Sequence, residues 1–299
     1  MTSLEMGRNT PRRPAPEGML AGKALEQHAA PESADDALFL AAHKRALKIL
    51  NDPQHRVSPD KYIKTYGKEV VEKDMQQARE QRARYETDRT PEQKETYMLA
   101  EIFEAMMLTE GQESGWLGDD VKLQKTTDYD DMFNHTDMIA EWHSNRADAH
   151  SLGLAVDVTF GARSLEKKFE RLHDDINKGR LSKIKYAPKE QTGVPRVIIG
   201  MSRETVYDLM NLWMEEEYDS LAKHPIQAAV LEQILTQLQA ISQYAESKQS
   251  HHVAAVYRKS IQTVRTLLNR KSSIPRGEMR SDTVSDGIKS QLAKHFSVK

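Results

Sequence analysis

The central part of the sequence changes its apolar pattern from a helical period to the alternation that is typical of strands. Up to Gly111 the apolar residues recur at helical spacing. After it, VKLQKTT and TDMIAEW alternate, and LGLAVDVTF is a short, almost continuous apolar run with β-branched residues. Three strands in such quick succession predict an antiparallel meander.

Helices are predicted on both sides of these strands. Thr90-Pro91-Glu92-Gln93 supplies an N-cap, a first-turn proline and a glutamine at N3, so a helix should begin there and run to Gly111. A second helix is predicted over 164–177, with Gly179 as its stop, and another buried strand over 197–201. The chain beyond residue 202 has helical patterns.

This order predicts an α/β (α+β) fold whose core, at residues 91–202, is an αβββαβ unit with a mixed sheet. Residues 1–34 are rich in Pro, Gly, Ala, Arg and Glu without an apolar period, which predicts a disordered leader. We interpret 35–90 as an N-terminal helical extension, 203–272 as a C-terminal helical region and 273–299 as a polar basic tail.

The composition excludes several classes of chemistry. The chain has no cysteine, which excludes disulfides, thiolate zinc sites, iron-sulfur clusters and cysteine nucleophiles. The motifs of serine hydrolases, P-loop proteins, zincins and dinucleotide-binding proteins are absent from the sequence. Without an apolar run of about 18 residues, a cytoplasmic protein with no membrane partner is predicted. A homo-oligomer stays open.

The net charge of -2 conceals an uneven distribution. Residues 91–141 carry thirteen acidic and three basic side chains, whereas the segment 163–189 and the C-terminal tail are basic. An acidic centre can bind a cation, and basic flanks can contact a polyanion such as nucleic acid. Ordinary solvated helix faces would give the same pattern.

Asp157 is the most informative single residue because it lies within the apolar run Leu154 to Phe160. A buried carboxylate is costly unless it is paired or binds a metal. Asp137 opens the preceding strand, and neighbouring strands of a hairpin bring side chains within about 5 Å. Two carboxylates so close repel each other unless a proton or a cation lies between them. Mg²⁺ or Mn²⁺ is the cation that oxygen ligands favour.

A third carboxylate is predicted on the helix before the strands. At about 100° per residue, Glu104 borders the apolar face, and Glu110 also falls in line with it. We favour Glu104, with Glu110 as an alternative. His135, His143 and His150 match no compact zinc motif, so turn or surface positions are favoured for them.

With Glu104 on the first helix, Asp137 on the second strand and Asp157-Val158-Thr159 on the third, the pattern resembles the PD-(D/E)XK nuclease superfamily. The resemblance implies a restriction-endonuclease-like core and magnesium-dependent hydrolysis of DNA or RNA. It implies Asp137, Asp157 and the Val158 carbonyl as metal ligands, completed by Glu104. The stretch from 129 to 160 is also similar to one in uncharacterised bacterial proteins.

One position departs from that pattern. The family expects a lysine where this sequence has Thr159, and a hydroxyl cannot supply a positive charge to the attacking hydroxide. Some members carry the lysine on the following helix, where Lys167 and Lys168 stand, and Lys168 is preferred because its stem can run along the sheet-facing side. If neither lysine reaches the site, the alternative is an inactive nuclease fold that acts as an interaction or nucleic-acid-binding module.

Overall fold

The computed structural model describes residues 34–142, 152–159, 162–187, 193–272, 274 and 282–297. It is mostly helical, with 69% helix and 8% strand. A short 3-10 helix covers Pro59–Tyr62. The α-helices are α1 (Ala34–Leu50), α2 (Ile63–Tyr66), α3 (Lys68–Thr87), α4 (Pro91–Glu110), α5 (Asp128–Asn134), α6 (Ala162–Asn177), α7 (Arg203–Met214), α8 (Tyr218–Ala222), α9 (Ile226–Ser247), α10 (His251–Arg270) and α11 (Thr283–His295). The strands are β1 (Val121–Lys125), β2 (Met138–Trp142), β3 (Leu152–Thr159) and β4 (Arg196–Gly200).

The predicted α/β class is wrong, because helices rather than the sheet make up most of the fold. The strands lie where the alternation predicts them, but β1, β2 and β4 have five residues each, so the sheet is a minor element. The prediction also lacked α5 between β1 and β2. The Thr127 side chain caps that helix by accepting a hydrogen bond from the amide of Asp130.

The four short strands are arranged in the order β1-β2-β3-β4. β2 pairs antiparallel with β1 and with β3, as the predicted meander requires, and β4 pairs parallel with β3. The register sets Met138 opposite Val156 and Asp157 opposite Ile198. The pairs fix which residues of neighbouring strands share a face.

The free edge of β4 is covered by side chains of α9 and α10. Gln237 both accepts from the amide of Ile198 at 2.8 Å and donates to its carbonyl at 2.7 Å. Gln233 does the same for Gly200, and the Tyr257 hydroxyl bonds the amide and the carbonyl of Arg196. Backbone groups that would otherwise be unpaired at a sheet edge are therefore satisfied within the chain.

Helix α4 begins and packs as its sequence predicts. Thr90 and Gln93 form a reciprocal capping box, and Pro91 occupies the first turn. Its residues Ile102, Phe103 and Met106 are fully buried in the main core. α1 packs along the same helix. This rigid helix carries Glu104 to the end of the sheet.

The range predicted as a polar tail contains a helix. α11 buries Val284, Ile288 and Leu292, which recur every four residues, against the core. Asp282 caps it by accepting from the amides of Val284 and Ser285. The packing of α11 on α6 stabilises a segment whose many charged residues concealed its apolar face.

None of the described helices has both the length and the apolar character needed to cross a bilayer.

Candidate functional site

A cleft of about 640 Å³, here called the central cleft, lies where α1, α3 and α4 meet the sheet and α6. Three of the four side chains that the sequence selects as catalytic line it, namely Glu104, Asp137 and Lys168. The other charged residues around them are Arg56, Arg82, Asp88, Arg89, Glu101, Lys125 and Asp131.

Lys125 is the buried cation of the central cleft. It lies at the end of β1 and is 5% exposed. Its ammonium donates a hydrogen bond to Glu104 and lies 3.8 Å from Asp131. Burial alone would lower the pKa of Lys125, but the negative charges of Glu104, Asp131 and Asp137 outweigh it and raise that pKa. The side chain therefore stays charged at neutral pH.

Sequence reasoning missed Lys125, although a signal for it was present. In the alternating strand β1, Val121, Leu123 and Lys125 share the buried face while Lys122 is exposed. A lysine in an inward position of an alternating strand needs an acidic partner. The partner is Glu104, which lies 21 positions earlier in the chain.

Two arginines from outside the four strands, Arg82 and Arg56, form ion pairs beside the central cleft. Arg82 of α3 bonds Asp131 at 3.2 Å and lies 2.8 Å from Asp128, which also pairs with Arg56 at 2.6 Å. Burial raises the pKa of Asp128, but the two guanidinium groups outweigh it and lower that pKa. These ion pairs tie α5 to α3 and to the loop after α1.

The described β2–β3 register ends at the pair of Met138 with Val156. Asp137 directly precedes Met138, and Asp157 directly follows Val156. Asp137 lines the central cleft, whereas the side chains of Asp157, Val158 and Thr159 lie outside the described part of the chain.

The two alternatives that the sequence leaves open are separated by position. Lys168 of α6 lines the central cleft, and Lys167 is exposed without lining it. Glu104 lines the cleft, and Glu110 is fully buried elsewhere, where Thr109 and Ser114 donate hydrogen bonds to it. Glu110 is therefore a satisfied core carboxylate.

The remaining acids and histidines near β2 divide between structural roles and positions outside the described residues. Asp130 is fully buried and accepts hydrogen bonds from the amides of Lys185 and Tyr186 at 2.7 and 3.1 Å. It anchors α5 to the segment before β4. His135 ends α5 in a left-handed conformation with φ 53°. His143 and His150 lie outside the described residues.

Two aromatic side chains, Tyr85 and Tyr97, line the central cleft. Tyr85 is 51% exposed, and the guanidinium of Arg89 stacks over the ring of Tyr97 at 3.5 Å.

The central cleft offers few ligands for a divalent cation. Within the described residues, no group of three or more His, Cys, Asp or Glu side chains could hold a metal ion. Asp137 is one carboxylate that lines the cleft, and the side chain of Asp157 lies outside the described part of the chain. Carboxylates and water are the ligands that Mg²⁺ uses in proteins. Glu104 is engaged by Lys125.

No family model matches this chain, and neither a curated protein nor a solved structure does.

Proposed function

We propose that this protein hydrolyses phosphodiester bonds of DNA or RNA in the central cleft, with Mg²⁺ or Mn²⁺, as a divergent relative of the PD-(D/E)XK nucleases. The observation that carries the proposal is that Glu104, Asp137 and Lys168 line one cleft together with a buried ammonium. The sequence pattern selects these three residues from their places on predicted helices and strands. Their convergence is unexpected for solvated surface residues.

Asp137 and Asp157 would hold the metal ion. Such an ion, when bound, polarises a phosphate oxygen and lowers the pKa of a bound water. The Val158 carbonyl is a further candidate ligand. Glu104 would act beside the metal site by holding the ammonium of Lys125 in the cleft.

The cationic residues of the cleft would stabilise the negative charge of the phosphate. Negative charge develops on the phosphate oxygens during hydrolysis, and a preorganised cation in a site with little water stabilises it strongly. Lys125 is buried and held in its charged form, so it supplies the charge that Thr159 cannot. Lys168 lines the same cleft from α6 and is the second cation near the scissile phosphate.

A second candidate function is nucleic-acid binding without hydrolysis. The pairing of Glu104 with Lys125 favours it, because that carboxylate is already engaged. Thr159 in place of a lysine also favours it. In this case the cleft would hold a phosphate group without cleaving it.

The test is cleavage of labelled single-stranded, duplex and branched DNA and of RNA with Mg²⁺ or Mn²⁺, compared with EDTA. We expect cleavage by the wild type, and a loss of at least about 100-fold in Asp157→Ala and Asp137→Ala, since both would remove a metal ligand. Asp120→Ala, an exposed aspartate before β1, is the matched control.

Activity that survives Asp157→Ala would eliminate this site. If no substrate is cleaved but metal-independent binding is measured, the second candidate function replaces the first.

A further inference from the structure

A second pocket, here called the basic pocket, lies at the far end of α6 from the central cleft and encloses about 310 Å³. Its charged side chains come from α6, from the segment after it and from the start of β4. The cations are Arg171, Lys178, Arg180, Lys183 and Arg196, and the carboxylates are Asp174 and Asp175. Five positive charges therefore face two negative ones.

The positive charge of the basic pocket is only partly neutralised. Asp175 is shared by two arginines, with Arg196 at 3.2 Å and Arg180 at 2.9 Å. The structure gives Lys178 and Lys183 no ion pair among the described residues, and both are exposed. An excess of cations in a concave site favours an anionic ligand.

Arg196 is the most buried cation of the basic pocket. It is 4% exposed, it donates to Asp175 and to the Asn134 carbonyl, and its Nε has no hydrogen-bond partner among the described residues.

One face of α6 connects the two cavities. At about 100° per residue, Ser164 and Lys168 in the central cleft share a face with Arg171, Asp175 and Lys178 in the basic pocket. A neighbouring face, with Leu165, Phe169, Leu172 and Ile176, is buried in the core. Lys168 and Lys178 are ten residues apart, which is about 15 Å along the helix axis.

We propose that the basic pocket binds a backbone phosphate of the nucleic-acid strand whose scissile bond lies in the central cleft. The inference rests on the proposed function and adds to it a second phosphate contact. The distance of about 15 Å between Lys168 and Lys178 sets the span that the strand must cover. Full affinity should therefore require a strand long enough to reach from one cavity to the other.

The test measures the binding of fluorescent single-stranded oligonucleotides of three to twelve nucleotides in EDTA, for the wild type and the double variant Lys178→Ala/Lys183→Ala. We expect the wild type to bind strands that are long enough to span both cavities more tightly than shorter strands. The double variant should bind only the longer strands more weakly, by roughly tenfold. The slope of log K against log salt should become shallower by about 0.7 for each phosphate that the variant no longer binds. Lys122→Ala/Lys259→Ala, with exposed lysines elsewhere, controls for net charge.

Competition with inorganic phosphate shows whether the basic pocket binds a backbone phosphate or the free ion. If the pocket takes a backbone phosphate, phosphate at millimolar concentration should compete only weakly with the longer strands. Complete competition, with no effect of strand length, would show a site for the free ion and overturn the inference. Equal affinities of the double variant and its control, or no binding of any strand, would overturn it as well.

The failure of this inference can be told apart from that of the proposed function. Asp157→Ala should keep the metal-free binding and lose cleavage. Cleavage that is unaffected by Lys178→Ala/Lys183→Ala at every strand length leaves the nuclease proposal standing without the basic pocket. Length-dependent binding without any cleavage leaves the basic pocket without the nuclease.

Discussion

Lys125 and Glu104 form the ion pair on which the central cleft depends at the scale of single residues. Both side chains are almost fully enclosed, and Asp131 and Asp137 add negative charge around the ammonium. A buried pair is not a strong stabiliser by itself, because both charges lose hydration. Removing one partner destabilises the fold strongly, because the remaining charge stays buried without its counter-charge.

Lys125→Met should destabilise the fold by about 3–5 kcal/mol, since it leaves the Glu104 carboxylate buried without its cation. The measurement is urea unfolding at pH 7. The double variant Glu104→Gln/Lys125→Met should recover part of this stability, because no charge is then left without its partner. A double variant whose destabilisation equals the sum of the two single effects would contradict the pairing.

At the scale of elements, the edge of β4 shows how helices complete a small sheet. Gln233 and Gln237 of α9 and Tyr257 of α10 take the place of a neighbouring strand by bonding the backbone amides and carbonyls of Arg196, Ile198 and Gly200. Because these groups are buried, their satisfaction decides whether β4 stays in the sheet. β4 in turn positions Arg196 in the basic pocket.

Gln237→Leu should therefore cost about 2–4 kcal/mol, because it leaves both the amide and the carbonyl of Ile198 without a partner. Urea unfolding gives the magnitude, and hydrogen exchange at the Ile198 amide should speed up selectively. Gln243→Leu, an exposed site on the same helix, is the control. Equal effects of the two substitutions would mean that the Gln237 amide is not needed at the edge.

At the scale of the whole molecule, two histidines link α6 to the last helix. The rings of His173 and His295 are 5.4 Å apart, and His173 also bonds the Tyr244 hydroxyl at 2.9 Å. Burial lowers the pKa of both, and each is lowered further by a nearby cation. The charged groups that face the pair are Glu166, Glu170, Asp174, Lys248 and Lys294.

The stability of the chain should fall as the pH drops below 6.5, the ordinary value for histidine. Between the lowered pKa of the folded state and 6.5, the unfolded chain binds protons that the folded one resists, so acid favours unfolding. Above 6.5 both states are neutral at these rings and this contribution is fully present. The measurement is the urea midpoint from pH 5 to 8.

The His295→Gln variant should have a flatter pH profile, because one of the two rings no longer titrates. Gln243→Leu, an exposed and uncharged site on α9, should keep the wild-type slope. A wild-type midpoint that rises on acidification from pH 7 to 5.5, or an unchanged slope in His295→Gln, would show that other groups dominate the pH dependence.

Much of the local structure was predictable, because local signals act over a few residues. The capping box at Thr90 and the alternation in β1 and β2 placed these elements near their observed positions. The large share of helix in the fold was not predictable from such local signals. α11 appeared polar because Lys289 and Lys294 lie among its apolar residues, and its burial needs α6 as a partner.

The sequence by itself determined which segments alternate, where α4 begins, and that Asp137, Asp157 and Glu104 are candidate carboxylates. Tertiary structure alone decided that Glu104 reaches the cleft while Glu110 does not, that Lys125 is the buried cation, and that α6 joins two cavities. The physical reason is separation along the chain. Periodicity fixes which face of an element is buried, whereas the pairing of charges 21 residues apart depends on how the elements pack together.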